Sequence, residues 1–294
     1  GGVASAVLDV GGLSGDGRAR LQAEVEQAMR AMPGVGEARL VLTAERRTRR
    51  FVAVASGKGG VGKSTVAANI AVALAAGGRD VGLIDADING PSVPTLFGSG
   101  ATRAAAIDKR LQPIVSHGVR TLSIGHMIDP ARAIAWRGPM VSQALKQLVE
   151  DTDWGDADPI LLDMPPGTGD IHITLAQRHK PAGAVIVSTP QDLALIDARR
   201  AIDLFNQLAV PIIGLVENMS GYCCPACGHV SDPFGRGGVE AACADLGVPF
   251  LGRVPLDIGV REASDAGRPV ASGDDPAAHA FRTIAAAVTR FLED

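Results

Sequence analysis

The residues with the clearest chemical potential form a glycine-rich segment, Gly57-Lys58-Gly59-Gly60-Val61-Gly62-Lys63-Ser64-Thr65. This segment fits the phosphate-loop pattern G-x-x-x-x-G-K-[ST]. Its glycines let consecutive backbone N–H groups turn inward around an anion, and the N-terminus of a following helix adds partial positive charge. In this pattern Lys63 reaches the β- and γ-phosphates of a nucleotide and the Ser64 hydroxyl ligates Mg²⁺. We therefore predict that residues 57–65 bind ATP.

Carboxylates follow two other apolar segments. Leu83-Ile84 runs into Asp85-Ala86-Asp87, and Leu161-Leu162 runs into Asp163. A carboxylate just past a buried strand is costly to desolvate unless it meets a cation, and a Mg²⁺–phosphate complex supplies one. We expect Asp163 to serve as the Mg²⁺ carboxylate, directly or through its hydration shell, with Asp85 close to the metal. Asp87 is the candidate for orienting the attacking water, because phosphoryl transfer needs mainly positioning and charge neutralisation. The alternative interpretation is that these residues only cap turns or helices.

The cysteines form a third group. Cys224-Pro225-Ala226-Cys227 is a C-x-x-C segment, with Cys223 before it and His229 two residues after it. Two thiolates on a tight turn can ligate a soft metal, but one pair is only half of a tetrahedral site. Three completions are open from the spacing. Two subunits could each donate a pair, Cys223 or His229 could complete a zinc site within one subunit, or the pair could be a redox dithiol.

The elements around these residues alternate between strands and helices. An apolar run, Phe51 to Ala55, precedes the glycine loop, and an Ala-rich helix from Ser64 to Ala76 follows it. Further strands are predicted at 81–84, 119–124, 160–162, 184–188, 212–216 and 250–254, and further helices at 140–150, 193–208, 239–246 and 276–292. This alternation predicts an α/β fold, a parallel sheet with helices on both faces, which binds ligands at the carboxyl ends of its strands.

A smaller unit precedes this domain. Residues 1–45 predict a strand, a helix and a second strand, which is typical of a small α+β domain, and the basic run at 46–50 predicts a solvated linker before the ATPase domain at 51–294. The net charge of −4 gives no support for nucleic-acid binding, and no apolar run approaches membrane-spanning length. The N-terminus shows neither a basic segment nor a long apolar core, and the four cysteines are few and clustered. Together these features predict a cytoplasmic protein in a reducing compartment, with neither a nucleic acid nor a membrane as its partner.

Several motifs together resemble one family. The loop at 57–65 resembles the deviant phosphate loop of the MinD/ParA/nitrogenase-iron-protein class. More narrowly, the chain resembles the Mrp/ApbC iron–sulfur carrier family over residues 51–269. The resemblance rests on these segments: Asp85-Ala86-Asp87-Ile88-Asn89-Gly90-Pro91-Ser92-Val93-Pro94, Trp136-Arg137-Gly138-Pro139-Met140, Asp163-Met164-Pro165-Pro166-Gly167-Thr168-Gly169-Asp170, Thr189-Pro190-Gln191-Asp192, Glu217-Asn218-Met219-Ser220 and the C-x-x-C pair. The N-terminal unit is similar to the later part of a small iron–sulfur-assembly domain.

The resemblance implies roles that spacing alone does not. Lys58 would be a signature lysine that reaches the nucleotide of a facing subunit, in a homodimer that closes on ATP. Cys224 and Cys227 from two subunits would hold a bridging iron–sulfur cluster, of the [4Fe–4S] type, which is delivered to apo-proteins. Asn218 would contact the adenine. Cluster-assembly proteins and apo iron–sulfur proteins would be the partners.

Three features depart from the family pattern, one of which is Asp158-Pro159-Ile160 where the family usually has an Asp-Tyr pair. The small N-terminal domain often carries a Cys-Pro after its strand, but residues 9–17 contain no cysteine. Cys223 is an additional thiol beside the pair. The leading hypothesis is an ATP-hydrolysing iron–sulfur cluster carrier.

Two alternatives compete with this hypothesis. A zinc-stapled ATPase would use the cysteines only for structure. A MinD- or ParA-type positioning ATPase would bind a membrane or DNA. The apolar stripe Phe281, Ile284, Val288 and Leu292 could serve such a surface, but the acidic C-terminal residues favour core packing instead.

Overall fold

The computed structural model describes residues 2–10, 15–43, 49–128, 136 and 138–294. Contacts divide the chain into two compact units, Gly1–Thr48 and Arg49–Asp294. Of the predicted linker, residues 46–48 lie outside the described residues. Arg50 belongs to the second unit, where its guanidinium pairs with Asp158 at 2.6 Å. Arg137, one residue of the Trp136–Met140 motif, also lies outside the described residues.

The first unit has the predicted strand–helix–strand order. Strand β1 (Gly2–Asp9) is followed by helix α1 (Gly15–Arg30) and strand β2 (Val35–Thr43), and the two strands pair in parallel. Along β1 every second side chain is half-buried and the others are exposed. This period of two is that of a sheet with one face covered and one open.

The second unit contains the remaining elements. Its strands are β3 (Phe51–Ala55), β4 (Val81–Asp85), β5 (Ala106–Ile107), β6 (Arg110–Leu111), β7 (Ile114–Ser116), β8 (Val119–Ser123), β9 (Ile160–Asp163), β10 (Gly183–Ser188), β11 (Ile212–Glu217), β12 (Tyr222–Cys223), β13 (Val230–Ser231) and β14 (Phe250–Arg253). Its helices are α2 (Lys63–Ala76), α3 (Val93–Leu96), α4 (Gly138–Val149), α5 (Asp170–His179), α6 (Asp192–Gln207), α7 (Gly238–Leu246), α8 (Ile258–Asp265) and α9 (Pro276–Glu293), with 3₁₀ turns at Ile124–His126 and Val270–Ser272.

Eight of these strands form one sheet in the order β14-β11-β10-β3-β9-β4-β8-β7. All neighbours pair in parallel except β7, which lies antiparallel to β8 at the edge. Val52 and Val54 of β3 pack on the face covered by α2 and α9, whereas Ala53 and Ala55 pack on the face covered by α4 to α7. Strands buried on both faces read as continuous apolar runs. The predicted α/β fold with helices on both faces is confirmed.

The apolar stripe near the C-terminus belongs to this core. Phe281, Ile284, Val288 and Leu292 of α9 are all at most 8% exposed and pack with α2 against the sheet. The prediction of core packing is confirmed, so the stripe is not available as a membrane-binding face. Within the part of the chain that the structure describes, no helix combines the length and apolar character that a membrane crossing needs.

Candidate functional site

The glycine loop connects the carboxyl end of β3 to the start of α2, as predicted. Gly62 lies directly before the helix with a left-handed backbone (φ 80°), and Gly60 has a similar φ of 82°. β3 is the fourth strand from one sheet edge, between β10 and β9, so its carboxyl end lies near the middle of the sheet edge where parallel-sheet ligands bind. The loop lines a cavity of 610 Å³. This size suits a nucleotide-sized ligand.

Lys63 and Asp163 form a buried ion pair under the loop. The Lys63 ammonium donates to Asp163 Oδ1 and also to the Ser64 hydroxyl at 3.2 Å, and both charged side chains are at most 7% exposed. Asp163 Oδ2 is buried without a hydrogen-bond partner among the described residues. Burial raises the pKa of Asp163, and Lys63 opposes that shift. The free oxygen beside a serine hydroxyl is a place where a hard cation fits.

Asp85 is equally buried, but its oxygens are occupied. Oδ2 accepts from the backbone N–H groups of Ser92 at 2.9 Å and Val93 at 3.1 Å, and from the Ser123 hydroxyl at 3.0 Å. Oδ1 accepts from the N–H of Asp87 at 3.2 Å. Burial raises the pKa of Asp85 to about 7, and neighbouring Asp163 adds to the rise. A carboxylate offers about four acceptor positions, so direct metal ligation by Asp85 would compete with the bonds that fold loop 85–93.

The other predicted nucleotide-site residues converge on the same cavity. Lys58 is exposed, Asp87 is half-buried, and both line the cavity with Asn218. The Asn218 side chain is buried and donates from Nδ2 to the Val61 carbonyl at 2.8 Å. The sequence interpretation did not single out the segment from Pro255 to Asp265, which also lines the cavity, with Asp257 and Arg261 among its lining residues. The sequence did contain a signal for this segment, namely an Asp shortly after a predicted strand. In the structure this residue, Asp257, caps the N-terminus of α8.

The close contact between Asn218 and Gly62 leads to a stability prediction. A Cβ added at Gly62 would lie 2.2 Å from Asn218 Nδ2, whereas one added at Gly60 would meet nothing within 4 Å. Both positions have positive φ, so Gly→Ala costs roughly 1 kcal/mol of strain at each. We expect Gly62→Ala to lower the free energy of unfolding by at least about 1 kcal/mol more than Gly60→Ala does. Denaturant unfolding of both variants checks this, and equal losses would contradict it.

The cysteine pair lies on a short hairpin formed by β12, β13 and the turn between them, residues 222–231, here called the cysteine hairpin. Cys224 N–H donates to the His229 carbonyl at 2.9 Å, and Gly228 N–H donates to the Cys224 carbonyl at 2.8 Å. Hydrogen bonds from the backbone N–H groups of Cys227 and Ala226, and from the Cys227 thiol, lower the pKa of Cys224. The turn therefore aims donors at a thiolate, which is the arrangement a metal-ligating sulfur needs.

The described part of one chain does not complete a metal site around this pair. Among the described residues, no group of three or more His, Cys, Asp or Glu side chains is placed to hold a metal ion. Cys223 is exposed and its thiol lies 3.7 Å from the Gly228 carbonyl. Cys243, by contrast, is buried in α7, and burial raises the pKa of its thiol to about 11. The described residues give no support to a zinc site completed within one subunit by Cys223 or His229.

Two buried histidines near the nucleotide site were not predicted from the sequence. His126 accepts from the Ser123 N–H through Nδ1 at 3.2 Å and contacts the Ser99 hydroxyl through Nε2 at 2.9 Å. His172, in α5, has no hydrogen-bond partner on either ring nitrogen among the described residues. Burial lowers the pKa of both imidazoles to about 4, and a nearby cation adds to each shift. Isolated histidines carry no spacing signal, so only the packing reveals them.

These shifts predict acid sensitivity. A histidine whose pKa is lower in the folded state binds fewer protons there than in the unfolded chain, so stability falls as pH drops below about 6.5. Between pH 7 and pH 5, His172 alone should cost roughly 2 kcal/mol. His172→Leu should remove that share of the loss, because a leucine side chain does not titrate. Chemical unfolding of parent and variant at both pH values measures it, and an equal acid loss in the two proteins would contradict it.

Comparison with known proteins identifies what the chain is similar to. A family model described as NUBPL iron-transfer P-loop NTPase matches residues 47–289. The iron–sulfur cluster carrier protein of Escherichia coli strain K12 is 50% identical over 222 residues, which are 75% of this chain and 60% of that protein. The chain thus spans about 60% of the length of this relative.

For two further proteins, the region matched by this chain is a larger share of the other protein's length. The iron–sulfur cluster carrier protein of Methanocaldococcus jannaschii is 46% identical over 250 residues, which are 84% of this chain and 86% of that protein. Among solved structures, a nucleotide-binding protein from Archaeoglobus fulgidus in complex with ADP superposes with a TM-score of 0.68 at 37% identity, covering 77% of this chain and 89% of that one.

Proposed function

Because this chain belongs to the NUBPL iron-transfer P-loop NTPase family, we propose that it binds and hydrolyses ATP and carries an iron–sulfur cluster, which it transfers to apo-proteins. One observation carries the proposal. A phosphate loop with a buried lysine and a two-thiol hairpin with a stabilised thiolate occur in the same domain. Relatives named as iron–sulfur cluster carrier proteins support the same assignment.

The nucleotide half of the proposal assigns one role to each group. The loop's N–H groups and Lys63 bind the phosphates, and Asn218 lies where it can contact the base. Ser64 and the free Oδ2 of Asp163 would hold Mg²⁺, which supplies neutralisation of phosphate charge. Asp87, whose carboxylate accepts from the Gly90 N–H at 3.2 Å, orients the attacking water. Asp85 acts on this reaction by folding loop 85–93, which carries Asp87.

The cargo half of the proposal needs two chains. A [4Fe–4S] cluster takes four thiolates, and each chain offers the pair Cys224 and Cys227. We therefore propose a homodimer in which two hairpins hold one cluster between them. Lys58, exposed beside the cavity, is free to reach a nucleotide on the facing chain. The partners would be cluster-assembly proteins that load the dimer and apo iron–sulfur proteins that receive the cluster.

The test is anaerobic reconstitution with iron and sulfide, followed by the absorption spectrum, iron and sulfide counts and native mass. We expect a broad visible band, about four iron per dimer and a dimeric mass. Stoichiometric zinc per monomer without sulfide would replace the proposal with a structural metal site. Hydrolysis is tested separately by phosphate release from Mg²⁺–ATP.

A further inference from the structure

The segment Glu217–Ser220 lies between the two sites of the proposed function. It begins at the last residue of β11, and the cysteine hairpin starts two residues after it ends, at Tyr222. Cys224 is thus only six positions from Asn218. A change in the backbone of this segment therefore has a short path to the thiols.

On the nucleotide side, this segment contacts the phosphate loop directly. Asn218 and Met219 both line the cavity, and the Asn218 amide donates to the Val61 carbonyl at 2.8 Å. Met219 has a left-handed backbone (φ 59°), a conformation that L side chains adopt at a cost and that is concentrated at functional turns. The space above Gly62 is too narrow for a Cβ. Gly62 therefore packs against the Asn218 side chain, and a movement of the loop at this glycine would meet that side chain.

On the hairpin side, one buried carboxylate fixes both ends of the hairpin segment. Glu217 is fully buried and accepts from the Ser220 hydroxyl at 2.6 Å, just before the hairpin. It also accepts from the N–H groups of Gly237 at 3.0 Å and Val239 at 2.9 Å, where the chain returns to α7. Arg253 Nε lies 3.3 Å from Glu217 Oε1, and its positive charge compensates the negative charge of this carboxylate. Buried hydrogen bonds to an ionised group are among the stronger ones in a protein.

A second contact ties the hairpin to another cavity-lining residue, Leu256. Leu256 N–H donates to the Gly221 carbonyl at 2.9 Å, and Tyr222 forms a parallel bridge with Leu256. Leu256 itself lines the cavity. The base of the hairpin is therefore connected to two groups of cavity-lining residues, to Asn218 and Met219 along the chain and to Leu256 through the backbone bond.

We propose that Glu217 and Ser220 are positioning residues that make the orientation of the cysteine hairpin depend on the nucleotide in the cavity. The inference rests on the proposed function for the identity of the two sites and adds how one regulates the other. Nucleotide binding shifts the Asn218–Met219 turn, and Ser220 and Glu217 transmit the shift to the hairpin. Because coupling between two binding sites is reciprocal in free energy, a ligand held by the thiols would change nucleotide affinity as much as the nucleotide changes the affinity for that ligand.

The experiment uses metal-free protein, so that it needs neither a cluster nor hydrolysis. The rate of Cys224 alkylation by iodoacetamide is followed by peptide mass spectrometry, with and without saturating Mg²⁺–ADP. In the parent we expect ADP to change the rate at least about fivefold, the lower range of coupling between sites. Ser220→Ala, which removes the bond to Glu217 but touches neither cavity nor thiol, should reduce the change below about twofold while ADP still binds.

Thr121→Val is the matched control. It removes another fully buried hydroxyl, which donates to the Ile114 carbonyl at 3.0 Å near the β7 edge of the sheet, and should keep the full ADP response. A measurement without variants tests the same coupling from the other side: the parent's ADP dissociation constant should change once Cys224 is alkylated. An ADP-bound parent whose alkylation rate is unchanged overturns the inference, as does a full response in Ser220→Ala.

The outcomes separate this inference from the proposed function. An ADP response in a protein that takes up no cluster on reconstitution would leave the coupling intact and overturn the cargo role. Cluster uptake in a protein whose alkylation rate does not respond to bound ADP would leave the cargo role intact and overturn the coupling. A protein that binds no ADP would overturn both.

Discussion

Lys63→Met should abolish ATP hydrolysis and make the protein pH-sensitive. The ammonium of Lys63 is the buried partner of Asp163, and removing one member of a buried ion pair costs about 3–5 kcal/mol. We expect the free energy of unfolding at pH 7 to fall by about 3 kcal/mol. Loss of the charge that we propose to bind the phosphates should lower the proposed hydrolysis at least about 100-fold. Denaturant unfolding and phosphate release measure the two effects.

The sign of the pH dependence follows from the same pair. Burial already raises the pKa of Asp163, and without Lys63 the rise is larger. The folded variant then holds a proton that the unfolded chain releases above its ordinary pKa of about 4. The contribution of this site to stability is therefore greatest at low pH and declines by up to about 1.4 kcal/mol per pH unit as pH rises toward the folded pKa. Parent protein, with the ion pair intact, should show a weaker decline from this site.

The double variant Lys63→Met/Asp163→Asn is the control. It removes the titrating carboxylate as well as the ammonium, so the part of the pH slope that comes from this site should vanish and part of the lost stability should return. Hydrolysis should stay absent, because the phosphate-binding charge is still missing. A single variant as stable as the parent across pH 5–8 would show that Lys63 and Asp163 do not form the pair in solution.

Cys224→Ala/Cys227→Ala should abolish cluster binding without unfolding the protein. Cys227 is exposed and Cys224 is half-buried on the hairpin, so their removal should change the melting temperature by no more than about 2 °C. Iron and sulfide after anaerobic reconstitution should fall from about four per dimer to near zero, because four thiolates hold such a cluster. Iron content and the visible band are the measurements.

Cys223→Ala is the matched control for this pair. Cys223 is equally exposed and directly adjacent, but its thiol lies toward the Gly228 carbonyl. The Cys223→Ala variant should take up iron and sulfide like the parent. Hydrolysis and nucleotide affinity should be unchanged in this variant and in the Cys224→Ala/Cys227→Ala variant. Parent-like iron and sulfide in the double variant would show that other residues hold the metal.

Much of the fold could be predicted because its signals are local. The apolar runs of β4, β9, β10 and β11 are strands buried on both faces, and their alternation with helices allowed few sheets other than a parallel one. Short elements were missed: α5 and α8 have mixed polar sequences, and the antiparallel β7 has only three residues. Their formation depends on contacts with the sheet more than on their own composition.

The candidate site divides in the same way. By itself the sequence determined the phosphate loop, the two acidic strand ends and the thiol pair, since glycine spacing, apolar runs and C-x-x-C are properties of neighbouring residues. Strand order decided the rest: β4 and β9 are neighbours with Asp85 level with Asp163, and Lys63 meets a carboxylate 100 positions away. Only the folded structure shows that Asp163 Oδ2 has no hydrogen-bond partner among the described residues. The Asp85 oxygens, by contrast, accept hydrogen bonds from loop 85–93 and from Ser123. Which buried group finds a partner depends on strand register and packing, and these are set by the whole folded chain.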